Sequence, residues 1–439
     1  MTTKPKKEVA PLLRKGSVLE KKWKIEDLIG WGAFGQVFVC HHVSSREKYA
    51  VKCEPHGLKQ SFLTTEVISM YQLQTLRCRA VPPLIDIGRT SKCNYFVTTL
   101  LGNDILKLKN SQPQRRFSIQ TTLSLGIALL DLLQSMHLAG FIHRDIKPAN
   151  FCIDRKDSHQ VLLIDCGMAR RIINETGDIR APRSHAGFRG TARYASLSAH
   201  RFTDLGMVDD LWSWFYMLIE FLTGSLPWSH SGARADIQAI KTKYHRPELL
   251  CAGLPQCYRI IMAYLLSLDY SSIPYHGFIR EVIISESEAQ GVILDDPFDW
   301  QIPNPRIFSD RNRYDLSLCP VYASFLKKPS SDSEGTSDPG NDHQHSTMAL
   351  AEASHCSVAD LSQELGDVME HVKIDPLDIL PGKSEERELK AELAKQTREK
   401  REHEERTKFL AKKNLFLDQE EEDTEDEVER VVDVFGCCL

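Results

Sequence analysis

The chain has 439 residues, 42% of them hydrophobic, and a formal net charge of −5, a composition that excludes a chain disordered throughout and a fibrous repeat. The charge is unevenly placed: residues 1–300 balance to +8 and residues 301–439 to −13, which points to two regions with different tasks. The length has room for a large core and, at about 150 residues each, for up to three domains.

Taken in order, residues 1–22 are Lys-rich and contain Pro, and read as a flexible basic arm. No apolar stretch of the signal-peptide kind follows Met1. Short β-branched and aromatic runs predict strands over 23–29, 36–42, 48–53 and 95–100, with a helix over 61–76 between them. From residue 118 the period lengthens to 3.6, predicting helices over 119–139, 208–222, 234–244 and 256–268. The most apolar stretch, 126–142, carries Asp131, Gln134 and His137, and reads as a buried helix rather than a membrane span. The expected fold class is therefore α+β in two lobes: a small β-rich lobe over 23–100 and a larger helical lobe over 101–300.

After Trp300 the texture changes. Residues 301–382 read as a disordered linker, with a run of Pro, Ser, Gly and Asp from Pro329 onward. Residues 383–417 predict a charged helix with i,i+4 pairs such as Glu386/Lys390 and Glu402/Arg406, too thin in apolar residues for a coiled coil. Residues 418–439 form an acidic tail, with nine acidic residues among the twelve of 418–429. The 12 cysteines show no zinc spacing, so reduced thiols in a cytoplasmic or nuclear protein are expected.

Three motifs carry chemistry. Gly30-Trp-Gly32-Ala-Phe-Gly35 is followed by Val37-Phe38-Val39-Cys40, a strand rather than a helix. A dinucleotide-binding fingerprint needs a helix there, so these glycines are expected to turn a hairpin whose backbone N–H groups cover phosphates. Lys52 lies in an apolar strand; it either pairs with Glu66 or faces water from a sheet edge, and the sequence leaves both open. His143-Arg-Asp145-Ile-Lys147-Pro-Ala-Asn150, followed by Asp165-Cys166-Gly167, is far more specific. Asp145 can accept a hydroxyl proton, Lys147 can neutralise a transferring phosphate, and Asn150 and Asp165 offer hard oxygen ligands suited to Mg²⁺.

Together these elements resemble a eukaryotic protein kinase. Gly190-Thr-Ala-Arg193-Tyr-Ala-Ser196, Asp209-Asp210 and Leu226-Pro-Trp228 resemble the casein kinase 1 superfamily, and with the terminal Phe298-Asp-Trp300 its tau-tubulin kinase branch. The resemblance covers residues 21–300 and leaves the tail out. It implies a two-lobed protein kinase fold and a serine/threonine kinase that uses ATP and Mg²⁺. Gly30, Gly32, Gly35, Val37, Ala50, Lys52, Thr98 and Leu100 would bind ATP, with Thr98 as gatekeeper. Lys52, Glu66, Asp145 and Lys147 would be catalytic, Asn150 and Asp165 would hold metal, and Asp210 would anchor the catalytic loop. Arg189, Arg193 and Lys243 would form a basic pocket for acidic or pre-phosphorylated protein substrates. Nucleic-acid partners are not expected.

One departure stands out: Cys166 replaces the Phe that usually follows the metal-binding Asp. It is the sole support for the other reading, a catalytically weak pseudokinase acting as a binding module. The charge split suggests that the acidic tail folds onto the basic core as a pseudosubstrate, against the plainer reading of a solvated tail.

Overall fold

The computed structural model describes residues 10–302 apart from 33–34, 59–60 and 175–176, together with 314, 315 and 322. Most of the linker, the charged helix and the acidic tail lie outside the described residues.

The N-lobe is an antiparallel sheet in the order β1-β2-β3-β4-β6-β5. Its strands are β1 (Val18–Leu19), β2 (Trp23–Gly32), β3 (Gly35–His42), β4 (Lys48–Pro55), β5 (Leu84–Arg89) and β6 (Cys93–Thr99). Alternating burial along β3 puts Phe38 and Cys40 inside, against Trp23, Val51 and Tyr95. Burying each such side chain is worth about 1.5–3 kcal/mol. β4 is flanked by β3 and β6, so Lys52 does not sit on an edge. The hairpin of β2 and β3 closes on Gly32 opposite Gly35. Gly35 takes φ +131°, and a Cβ there would lie 2.2 Å from the Cys53 carbonyl oxygen, so that position requires glycine.

The arm expected over 1–22 is shorter than its composition suggests. From residue 10 the chain packs on the sheet: Leu13 and Leu19 are buried, and Gln36 bonds both Leu12 N and the Ala10 carbonyl. Two leucines among lysines are enough to dock the segment, because the sheet presents an apolar face at Trp23 and Ile25.

Helix α1 (Phe62–Thr75) crosses behind the sheet. Ser61 caps it by accepting from Thr64 N, and Glu54 at the end of β4 accepts from Ser61 Oγ and Phe62 N. Strand and helix are thus tied together at the point that sets the depth of Glu66.

The C-lobe is helical. It contains α2 (Ile105–Ser111), α3 (Ile119–Leu138), α4 (Leu197–His200), α5 (Met207–Thr223), α6 (Arg234–Lys243), α7 (Pro247–Leu250), α8 (Gln256–Leu266) and α9 (His276–Ala289). Short strands β7 (Phe141–Ile142), β8 (Phe151–Ile153), β9 (Val161–Leu163) and β10 (Arg170–Arg171) pair as β7 with β10 and β8 with β9. α3 has the length and hydropathy of a membrane span, yet it is mostly buried against α5 and α9. All of α5 is buried, which makes it the axis of this lobe. Strand β5 and helix α2 were not expected from sequence, because they are short and hold few apolar residues; α9 was missed although Phe278, Ile279, Val282 and Ile283 lie at helical spacing and are buried.

Candidate active site

The cleft between the lobes has a volume of about 460 Å³. Gly30, Gly35, Val37, Ala50, Lys52, Glu66, Thr98, Leu100, Asn150 and Asp165 all line it, with Ile164 on the floor. Gly32 lies at the hairpin turn above it. Thr98 Oγ1 donates to the Pro83 carbonyl at 2.7 Å, which fixes the side chain at the back of the cleft. Trp31, 52% exposed between the first two glycines, stands on the cleft lip, a placement the glycine pattern did not foretell.

Lys52 Nζ sits 2.5 Å from Glu66 Oε2 and 2.8 Å from Asp165 Oδ1. Burial alone would lower the Lys52 pKa, but the two carboxylates raise it, so the ammonium is held charged. Burial pushes the Glu66 carboxyl up to about 7 against the pull of Lys52. Asp165 is partly buried, which would raise its carboxyl, yet Lys52 brings it below its ordinary range. The geometry thus holds one ammonium between two carboxylates.

The loop from His143 to Asn150 is fixed by the C-lobe. Asp210, in the first turn of α5, accepts from His143 N at 2.7 Å and from Arg144 N at 2.8 Å. These bonds hold Arg144 at φ +68°, a conformation that costs energy outside glycine. His143 Nε2 faces the Ile164 carbonyl at 3.0 Å, and Asn150 Nδ2 donates to the Asp145 carbonyl at 2.9 Å. Asp145 Oδ2 meets Lys147 Nζ at 2.6 Å, and its Oδ1 accepts from Thr191 Oγ1 at 2.8 Å. Thr191 was quoted within the Gly190–Ser196 motif without a role; here it joins the activation segment to Asp145.

A divalent cation fits the donor set. The Asn150 amide nitrogen is committed to the Asp145 carbonyl, which leaves its oxygen as the free end. Asp165, at φ +66°, lines the same cleft. Both offer hard oxygen donors of the kind such ions take.

Cys166 is 1% exposed and packed in the large core. Burial pushes its thiol well above the ordinary range, so it behaves as a small apolar side chain rather than a reactive one.

Each of the expected substrate cations has a contact of its own. Arg193 lies 2.5 Å from Glu220 Oε1, where Lys109 (3.3 Å) and Tyr194 (2.5 Å to Oε2) also bind. Lys243 is exposed on α6, its ammonium 5.8 Å from the centre of the Tyr244 ring, while the buried Lys241 beside it bonds the Ala192 and Ala195 carbonyls. Arg189 donates to the Phe188 carbonyl and shares a basic field with Arg144, Arg170 and Arg183. Burial, then those three neighbouring guanidinium groups, lowers Arg144 to about 10. Asp204 is the carboxylate that pairs two of them: it takes Arg170 at 2.7 Å and Arg183 at 2.8 Å. The spacing of these arginines in sequence held no sign of the cluster.

Residues 23–261 match the protein kinase domain family. A serine/threonine-protein kinase of Dictyostelium discoideum is 38% identical over 289 residues, 65% of this chain and 58% of that protein. The serine/threonine-protein kinase spe-6 of Caenorhabditis elegans is 33% identical over 291 residues, 64% of this chain and 76% of that protein. A Caenorhabditis elegans protein named as a casein kinase I is 31% identical over 240 residues, 54% and 69% of the two chains. The chain thus spans well under two thirds of the Dictyostelium relative's length. Family match, lobes and cleft agree: the chain belongs to the protein kinase family, and its kinase domain is of the serine/threonine kind.

Proposed function

We propose that the chain is an active serine/threonine kinase that transfers the γ-phosphate of ATP to acidic or pre-phosphorylated protein substrates, and that it sits in the casein kinase 1 superfamily, nearest the tau-tubulin branch. The observation that carries the activity is Lys52 bridging Glu66 and Asp165 while Asp145 stands free of backbone duties on a rigid loop. Gly30, Gly32 and Gly35 cover the phosphates, Val37, Ala50 and Leu100 flank the base, and Thr98 bounds the cleft. Lys52 binds the α- and β-phosphates; Asp145 orients the substrate hydroxyl and takes its proton on a carboxylate oxygen; Lys147 steadies the phosphoryl group. Asn150 and Asp165 hold Mg²⁺, which when bound neutralises charge on the phosphates.

The preference for acidic substrates is supported by the basic field that Arg170, Arg183 and Arg189 make around Arg144, next to Asp145, and by the +8 balance of residues 1–300. The casein kinase I-like relative supports the superfamily. The charge split supports reading the acidic tail as a pseudosubstrate, and truncation at Pro329 tests it: unchanged activity on an acidic peptide at low salt would rule it out. The cytoplasm or nucleus suits the free thiols at Cys53 and Cys93; a tagged chain confined to the secretory route would refute that.

The activity is tested with Asp145→Asn. Loss of the base is expected to lower kcat by about 10²–10⁴-fold with the KM for ATP unchanged. Equal phosphate transfer by both proteins would leave only the pseudokinase reading standing.

A further inference from the structure

A buried chain of polar groups runs from α9 to the loop that carries Asp145. It begins at the His276 ring, in the first turn of α9. His276 Nε2 lies 3.0 Å from His137 Nδ1, and His137 Nε2 lies 3.2 Å from Asp210 Oδ2. Asp210 ends the chain by accepting from His143 N and Arg144 N. His276, His137 and Asp210 are 5%, 2% and 1% exposed, so water does not complete any of these contacts.

Asp210 already accepts two backbone N–H groups as a carboxylate, so the contact with His137 Nε2 needs the proton on that nitrogen. A His137 ring protonated at Nε2 presents Nδ1 as an acceptor, and His276 Nε2, 3.0 Å away, is the group that can donate to it. His276 thereby fixes which nitrogen of His137 faces the buried carboxylate.

We infer that His276 is a positioning residue for phosphoryl transfer: by donating to His137 Nδ1 it keeps the His137 Nε2–H directed at Asp210, and so holds Asp210 rigidly under the backbone of the catalytic loop. The inference rests on reading the segment from His143 to Asn150 as that loop. Burial and the neighbouring His137 push His276 well below its ordinary range, so its ring is neutral and has one proton to give. Burial would raise Asp210, but the hydrogen bond from His137 brings it below its ordinary range. The other charged and titratable groups around the chain are Arg280 on α9, Asp209 on α5 and His143 on the loop. Arg280 is drawn away to Asp131 and Gln134, and Asp209 is turned to cap α5 at Gly206 N.

The test uses the full chain with His276→Phe and His276→Gln. The glutamine amide can donate to His137 Nδ1; phenylalanine cannot. The expected result is that His276→Phe lowers kcat about tenfold with the KM for ATP held within about twofold, while His276→Gln stays within about threefold of the parent, since one lost buried hydrogen bond is worth about a factor of ten. Unchanged kcat in His276→Phe, or an equal fall in both variants, would overturn the inference. Imidazole ¹⁵N shifts of the parent give an independent reading: both rings should carry a proton on Nε2, and an unprotonated Nε2 on His276 would sink the idea even if His276→Phe fails to fold. If the parent transfers no more phosphate than Asp145→Asn, the kinase reading fails, and the position of the ring protons still decides the histidine pair.

Discussion

Lys52 reaches Glu66 and Asp165 side chain to side chain, across 14 and 113 residues of sequence. Asp210 holds the loop before Asp145 side chain to backbone, through two N–H groups in succession. The first arrangement depends on where α1 sits, because that helix carries Glu66. The second depends on α5, which is buried along its whole length and cannot shift without repacking the lobe. One half of the site therefore rests on a helix of the N-lobe, part of which is exposed, and the other on the axis of the C-lobe.

The strongest way to break that contrast is at Lys52. Lys52→Met is expected to lower kcat by about a hundredfold, whereas Glu66→Gln, which leaves Lys52 its contact with Asp165, should lower kcat/KM for ATP by only about tenfold. Steady-state kinetics over a range of ATP concentrations separates them; equal losses would mean that the lysine has no independent hold on Asp165.

On the rigid side, Asp204→Asn removes the carboxylate that joins Arg170 and Arg183. Leaving these guanidinium groups unpaired should cost about 1–3 kcal/mol and lower the melting temperature by several degrees. Calorimetry that detects no shift would mean that the activation segment is held by other contacts.

Cys166 sits where the two halves meet, its neighbours including Glu66, Asp165 and Cys78. The site is closed around a small side chain, so Cys166→Phe should overpack it and destabilise the protein by about 1–3 kcal/mol. Denaturant unfolding checks this, and a more stable variant would show that space for the ring exists.

The smallest effect concerns pH. Burial, then the nearby Lys241, lowers His200 to about 4. In the unfolded chain a histidine titrates near 6.5, so between these values the unfolded state binds a proton that the folded state refuses. Stability should fall as pH drops from about 6.5 toward 4, and His200→Gln should make that slope shallower. An unchanged slope would assign it to other groups.

Much of the site was legible in sequence because its parts are close together there. Asp145, Lys147 and Asn150 lie within six positions, and the glycines of the hairpin within another six. The helix and strand periods placed α1 and β4 well enough to offer Glu66 as a partner for Lys52, though a water-facing lysine stayed open until β4 proved to lie between β3 and β6. The basic pocket was legible only in part. Arg193 was named, but its partner Glu220 lies 27 residues on, and burial of that carboxylate redirected the arginine. The N-terminal arm was misjudged because two docking leucines weigh little in a composition dominated by lysine.

By itself the sequence determined which groups are present for chemistry and the order in which they occur, since local spacing alone brings Asp145, Lys147 and Asn150 to one loop. Only the tertiary structure decided which charges are spent on one another. Ion pairs such as Lys52 with Asp165 and Arg193 with Glu220, and the histidine chain from α9 to Asp210, join residues 27 to 139 positions apart, and whether a buried charge is available to a substrate depends on the partner that packing brings to it.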